Sequence, residues 1–186
     1  MHGGFESFLQ AQSIVDVPFV ARHATHAQAG TRARLNLPQD RRLVLPSFGG
    51  YGVGGLDEGS LDLDSSWHVV RVPDRSIYDA GLRYEDLIRA VDVVVTKPGY
   101  GIIAECIAND TAIVYTSRGR FAEYAVLARE MPRYLRCAYL DNDALLSGRW
   151  RAALEAAVTA PRAPEHPPTN GAEVIADMIA ARIYSA

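Results

Sequence analysis

The sequence predicts an α/β fold, a Rossmann-like and mainly parallel sheet with helices on both faces. Three observations point to it. Short apolar, β-branched runs alternate with segments of helical periodicity, the pattern of successive βαβ units. One run, Asp92–Thr96 (DVVVT), is apolar without alternation, as a strand covered on both faces must be. Two glycine-rich stretches follow strand-like runs, where the loops of a parallel sheet gather ligands at the carboxyl ends of its strands.

The elements follow in order. Residues 1–21 carry no clear pattern, and 24–36 predict a short polar helix. Leu37–Asp40 is a turn, so residues 1–37 read as a linker or N-terminal segment and 38–186 as one domain. Arg42–Phe48 (RLVLPSF) is a strand whose proline implies an end or an irregular ladder. Strand Trp67–Val72 and helix Tyr84–Ala90 precede Asp92–Thr96. Then come the loop Lys97–Gly101, helix Ile102–Asn109, strand Thr111–Tyr115, and helix Glu123–Glu130, stopped near Pro132. Strand Ala138–Leu140 leads to a helical stretch over 141–159 with a break near Gly148. The proline-rich Ala160–Pro168 is an extended linker. Thr169 or Asn170 caps a last helix to Ile183, with Val174, Ile175, Met178 and Ile179 on one face.

With 186 residues, the chain fits one domain able to bury its own core. A net charge of -3 gives no overall basic field, so the composition argues against a nucleic-acid binder. No apolar run approaches the ~20 residues of a membrane span. The start MHGGFESFLQ lacks a basic region followed by an apolar stretch. A soluble, cytoplasmic protein is expected. Cys106 and Cys137 make neither a metal spacing nor a disulfide framework and read as reduced core thiols. The histidines show no ligand spacing, His23 and His26 reading as a surface-helix pair, so no metal is expected. Lys97 is the only lysine among 19 cationic residues, the rest being arginine.

Two glycine loops and one arginine loop are the chemical candidates. In the first, Ser47–Gly55, glycines at 49, 50, 52, 54 and 55 let backbone N–H groups approach an anion. Gly50-x-Gly52-x-x-Gly55 with Asp74 about 20 residues on also fits the dinucleotide fingerprint, although LDEGSLDLDSSW is a poor crossover helix. Phosphate contact, an NAD site and an unliganded loop all remain open for this stretch. In the second, Lys97-Pro98-Gly99-Tyr100-Gly101 joins a strand to a helix, and free N–H groups and the positive helix end lie beside Lys97. Glu105, placed in about the first turn of that helix, can accept paired hydroxyls as a ribose offers, or simply favour the helix dipole. The third is Arg118–Tyr124 (RGRFAEY), whose Arg118 and Arg120 suit phosphate or carboxylate and whose Glu123 borders the same crevice or caps a helix.

These residues resemble the nucleotide-sugar-binding half of GT-B-fold glycosyltransferases. Thr96–Glu105 (TKPGYGIIAE) stands in register with the T-H-C-G-W-N-S-x-x-E turn and helix of plant-type glucosyltransferases. Phe121–Tyr124 is similar to the later F-x-D/E-Q segment, and Ser47–Gly50 to the loop that closes over the phosphates. The turn of plant-type arabinose kinases, K-x-G-Y-G-x-x-x-E, is of the same kind. The resemblance implies a C-terminal donor domain that binds a UDP-sugar as substrate, with no cofactor and no metal. Gly49, Gly50, Lys97, Gly99, Tyr100 and Gly101 would hold the diphosphate and Glu105 the ribose. Glu123 and Tyr124 would face the sugar, and Leu82 and Arg83 the base. Ile102 lacks the hydroxyl often used on phosphate, and Tyr124 replaces the usual Gln. The acceptor and general base of such enzymes lie on an N-terminal half, so a separate or missing acceptor domain is implied. An NAD-binding oxidoreductase, a nucleotide-sugar epimerase of the same fold and a non-catalytic donor-binding subunit are the alternatives.

Overall fold

The computed structural model describes residues 14–48, 61–72 and 74–184. Its strands are β1 (Arg42–Ser47), β2 (Trp67–Val69), β3 (Val93–Thr96), β4 (Ala112–Tyr115) and β5 (Cys137–Tyr139). They form one sheet in the order β2-β1-β3-β4-β5, and every neighbouring pair is parallel. The helices are α1 (Gln28–Arg34), α2 (Asp74–Asp79), α3 (Tyr84–Ala90), α4 (Tyr100–Ala108), α5 (Tyr124–Glu130), α6 (Asn142–Leu146), α7 (Arg151–Thr159) and α8 (Gly171–Tyr184). This is the α/β, Rossmann-like arrangement expected.

Strand alternation sends side chains to two cores. Leu43, Leu45, Val94 and Ile113 pack with Leu87, Ile88, Ile103 and Leu127 under α3, α4 and α5. Val44, Val93, Val95 and Val114 pack on the opposite face with Leu145, Trp150 and Leu154 of the α6–α7 region. Leu61 and Leu63, just before β2, join this second core, on the face opposite α4. The strand order reverses between β1 and β3, and at such a reversal open parallel sheets form a crevice at the carboxyl ends of their strands. Pro46 lies past the last β1–β2 pair, where β1 has β3 as its remaining ladder partner.

Some elements differ from expectation. α2 is a helix that the sequence reading left out. Ile77 is its only buried residue among those with described side chains, too little for a periodic signal. Gly148, at φ 75°, breaks the 141–159 stretch into α6 and α7 as expected. The first helix begins at Gln28, so His23 and His26 lie in the chain before it, His26 in a bend, rather than on a surface helix. In that stretch Asp86 Oδ1 accepts from the N–H groups of Thr25 (2.8 Å) and His26 (2.9 Å) and ties the bend to α3.

The same N-terminal segment crosses three helices. Asn109, at the end of α4, accepts from Ala24 N–H and donates to the Arg22 carbonyl. Phe19 pairs with Pro168 and Gly171, and Val20 forms an antiparallel bridge to Asn170. A Cβ on Gly171 would lie 2.1 Å from the Pro18 carbonyl oxygen, so the segment and the start of α8 touch backbone to backbone. Beyond Gly171, α8 buries little, and Ile175, Ile179 and Ile183 stay exposed.

Candidate functional site

The site is built on the strand ends at the crevice. Thr96, the buried last residue of β3, donates its hydroxyl to the Ser47 carbonyl at 2.5 Å, tying the ends of β1 and β3 together. Ser47 Oγ also lies 2.6 Å from the hydroxyl of Tyr84 on α3. Thr116, buried beyond β4, donates to Asn142 at 2.7 Å and to Thr96 through its backbone. The strand ends therefore form a rigid floor for the loops above.

Lys97–Gly99 rises from this floor and turns into α4, whose N-cap is Gly99. The first N–H groups of such a helix lack intrahelical partners and carry the positive dipole end. Lys97 is half-buried and forms no ion pair among the described residues. Arg118, reaching back from the loop after β4, donates to the Pro98 carbonyl at 2.8 Å and lies flat on Phe121, 3.8 Å from the ring centre. A Cβ on Gly99 would sit 2.8 Å from Arg118 Nη1, so glycine there lets the guanidinium close over the turn. Gly101 has nothing within 4 Å of where a Cβ would stand. Lys97, the Arg118 guanidinium and the positive end of α4 thus belong to one turn, an arrangement that attracts an anion.

Glu105 stands in the second turn of α4, not the first, and no acidic residue lies in that first turn. The dipole explanation offered for it therefore falls. Four residues and about 6 Å of helix rise separate it from Gly101 on the same face. Its side chain is 10% exposed. Arg22 of the N-terminal segment brings both Nε (2.6 Å) and Nη2 (2.5 Å) to one oxygen, Glu105 Oε1. Arg22 Nη1 is also 3.5 Å from Glu85 Oε2, on the nearly buried first turn of α3. Partial burial works against the charge of Arg22, but the bonds and field of Glu105 outweigh it and raise its pKa.

Other expected site residues take varied positions. Glu123 is the N-cap residue of α5 without a capping bond from its side chain, and Tyr124 follows it, both half-buried. Burial, and then the Glu123 carboxylate, raise the pKa of Tyr100. Tyr124 has a raised pKa through burial and then Tyr139, and Tyr139 lies 5.5 Å from Tyr115, so an aromatic wall lines the ends of β4 and β5. Leu82 is 2% exposed with its side chain in the core, so only its backbone can meet a ligand. Arg83 is exposed at the N-cap of α3, its N–H bound to Asp86 Oδ2 at 2.9 Å. Gly49 and Gly50, with the rest of the first glycine loop, lie outside the described residues. Residues 61–66 after it form no helix, and Asp74 opens α2, against what a dinucleotide fingerprint requires.

Two features went unread in the sequence. Arg22 meets Glu105 across 83 positions, a pairing with no local signal. A cavity of about 670 Å³ runs between the N-terminal segment and α4, lined by Val17, Phe19, Tyr100, Gly101, Ala104 and Tyr134. It opens beside the turn. Cys106 is buried, which raises its thiol pKa, and Cys137 is pushed up to about 11 by burial, so neither is a ready nucleophile. Among the described residues no cluster of metal-ligating side chains occurs, and no helix is long and apolar enough to cross a membrane.

No family model matches the chain. It is 30% identical over 159 residues to an L-arabinokinase of Arabidopsis thaliana, an alignment taking in 80% of this chain and 15% of the relative. The chain thus spans about 15% of the length of this curated relative. Among solved structures, the glycosyltransferase SnogD from Streptomyces nogalater is similar at 15% identity and a TM-score of 0.42, over 96% of this chain and 54% of that one. A variant of the wall teichoic acid polymerase TagF is similar at 11% identity and a TM-score of 0.33, over 85% and 48%.

Proposed function

We propose that this chain is a donor-binding domain of glycosyltransferase type that takes a nucleoside diphosphate sugar, UDP-sugar first among them. The observation that carries the reading is the placing of the Arg118 guanidinium over the Lys97–Gly101 turn at the N-terminal end of α4, with Glu105 one turn further along the same face. In the proposed reaction an acceptor hydroxyl attacks the anomeric carbon. The bond from that carbon to the phosphate oxygen breaks, and the nucleoside diphosphate departs with the electron pair. Lys97, Arg118 and the helix N–H groups stabilise the charge gathering on that diphosphate, which matters most where water is excluded. Glu105 accepts the ribose hydroxyls, and Glu123 with Tyr124 borders the sugar. The base lies against the backbone at Leu82–Arg83. The acceptor and the base that deprotonates it are supplied by a companion half.

The L-arabinokinase similarity favours one further reading, a nucleotide and sugar site that serves a kinase. Calorimetric titration with UDP, ADP, ATP, NAD and L-arabinose separates the possibilities. Saturable binding of UDP is expected, with the other nucleotides weaker. ATP together with L-arabinose would favour the kinase reading, and NAD alone would favour an oxidoreductase.

A further inference from the structure

The hold of Arg22 on Glu105 has an unusual shape. A guanidinium facing a carboxylate commonly makes two parallel bonds, one to each oxygen. Here Nε donates to Oε1 at 2.6 Å and Nη2 stands 2.5 Å from the same oxygen, while no hydrogen bond to Oε2 occurs among the described residues. The carboxylate is thus gripped through one oxygen. Arg22 itself is fixed from two sides. Asn109 takes its carbonyl at 3.1 Å and the next-but-one N–H at 2.9 Å, while Glu85 sets a second negative charge 3.5 Å from Nη1. The guanidinium is nevertheless 58% exposed, so its site is not closed over.

We propose that Arg22 is a positioning residue for ligand recognition: it locks Glu105 Oε1 so that Oε2 faces the vicinal hydroxyls of the bound nucleotide's ribose. This deepens the donor-binding reading and rests on it. Two hydroxyls reaching a free-swinging carboxylate would first have to fix two side-chain torsions, whereas a held carboxylate has already lost that freedom. The N-terminal segment is thereby part of the binding site, although it need not touch the ligand.

The test titrates the full chain, Arg22→Ala and Arg22→Lys with UDP, 2′-deoxy-UDP and inorganic pyrophosphate. The wild-type chain is expected to prefer UDP to 2′-deoxy-UDP. Arg22→Ala should weaken UDP about tenfold, the scale of one charge-assisted hydrogen bond. It should also shrink the preference for UDP over its 2′-deoxy analogue and leave pyrophosphate affinity in place. Arg22→Lys, which keeps the charge and the segment's anchoring, should fall between. An unchanged UDP affinity in both variants overturns the proposal, and tighter UDP binding would make Arg22 an obstruction instead. Equal weakening of all three ligands would reduce Arg22 to a structural tie. A wild-type chain that binds pyrophosphate but does not prefer UDP removes the ribose role of Glu105, and that of Arg22 with it. A wild-type chain that binds none of the three overturns the donor-binding reading itself.

Discussion

Asp86 and Glu105 lie on neighbouring helices, are both nearly buried, and are both reached by the same N-terminal segment, yet they are held in opposite ways. Asp86 is fully buried, and both of its oxygens accept backbone N–H groups, Oδ1 from Thr25 and His26 and Oδ2 from Arg83. Its valences are spent inside the protein. Glu105 is gripped at Oε1 by one side chain, and no hydrogen bond to its Oε2 occurs among the described residues. A carboxylate saturated by backbone N–H groups is a structural one, whereas the proposal above makes Glu105 one that is steadied and left incomplete for a ligand.

Mutation can break this contrast in graded steps. The largest effect belongs to Asp86→Ala, which removes a fully buried carboxylate and strands the three N–H donors of Thr25, His26 and Arg83. It should cost about 3 kcal/mol or more in urea unfolding. Asn109→Ala comes next at about 2 kcal/mol, because it frees the Arg22 and Ala24 backbone. Its mark should be faster hydrogen exchange at residues 22–26. Asp86 also sets an acid limit. Burial acts to raise its pKa, but the N–H groups of Arg83, His26 and Thr25 outweigh that and lower it. A lowered carboxylate contributes stability that is present above its unfolded pKa of ~4 and is lost as pH falls through the folded value. Thermal midpoints of the wild type should therefore drop below about pH 4, and Asp86→Asn should show a flatter profile. Asp64, Glu130 and Glu155 are shifted the same way and leave a residual slope.

Glu105→Ala should change stability by about 1 kcal/mol at most, since the Arg22 it releases is well exposed. Its cost should appear in UDP binding instead, and a large loss of stability with intact binding would erase the distinction drawn above. Gly99→Ala is the mildest for the fold. The new methyl group meets the mobile end of Arg118, which can swing away, so under about 1 kcal/mol is expected. The displaced guanidinium should weaken pyrophosphate several-fold in a calorimetric titration.

Much of the fold was legible because it is local. The unbroken β-branched run of β3, the helix at Tyr84–Ala90 and the break at Gly148 are written in neighbouring residues. The turn and helix around Lys97–Glu105 were legible for the same reason. What escaped depends on distant partners. α2 offers one buried apolar side chain and no period. The bend before α1 is tied down by Asp86, some 60 positions away. The pairing of Arg22 with Glu105, and the closing of Arg118 over Gly99, exist only once strands and loops are assembled.

The stitching of the N-terminal segment has a consequence for how the molecule comes into being. Residues 19–26 leave the ribosome early, but their hydrogen-bonding partners at 86, 105, 109, 168 and 171 are made later. Arg22 must wait for 83 more residues before it can find its carboxylate. The sheet and its flanking helices can assemble from nearer contacts while this stretch is still untethered. Docking of the N-terminal segment therefore trails formation of the core, and the Arg22–Glu105 pair is among the last contacts to be set in place.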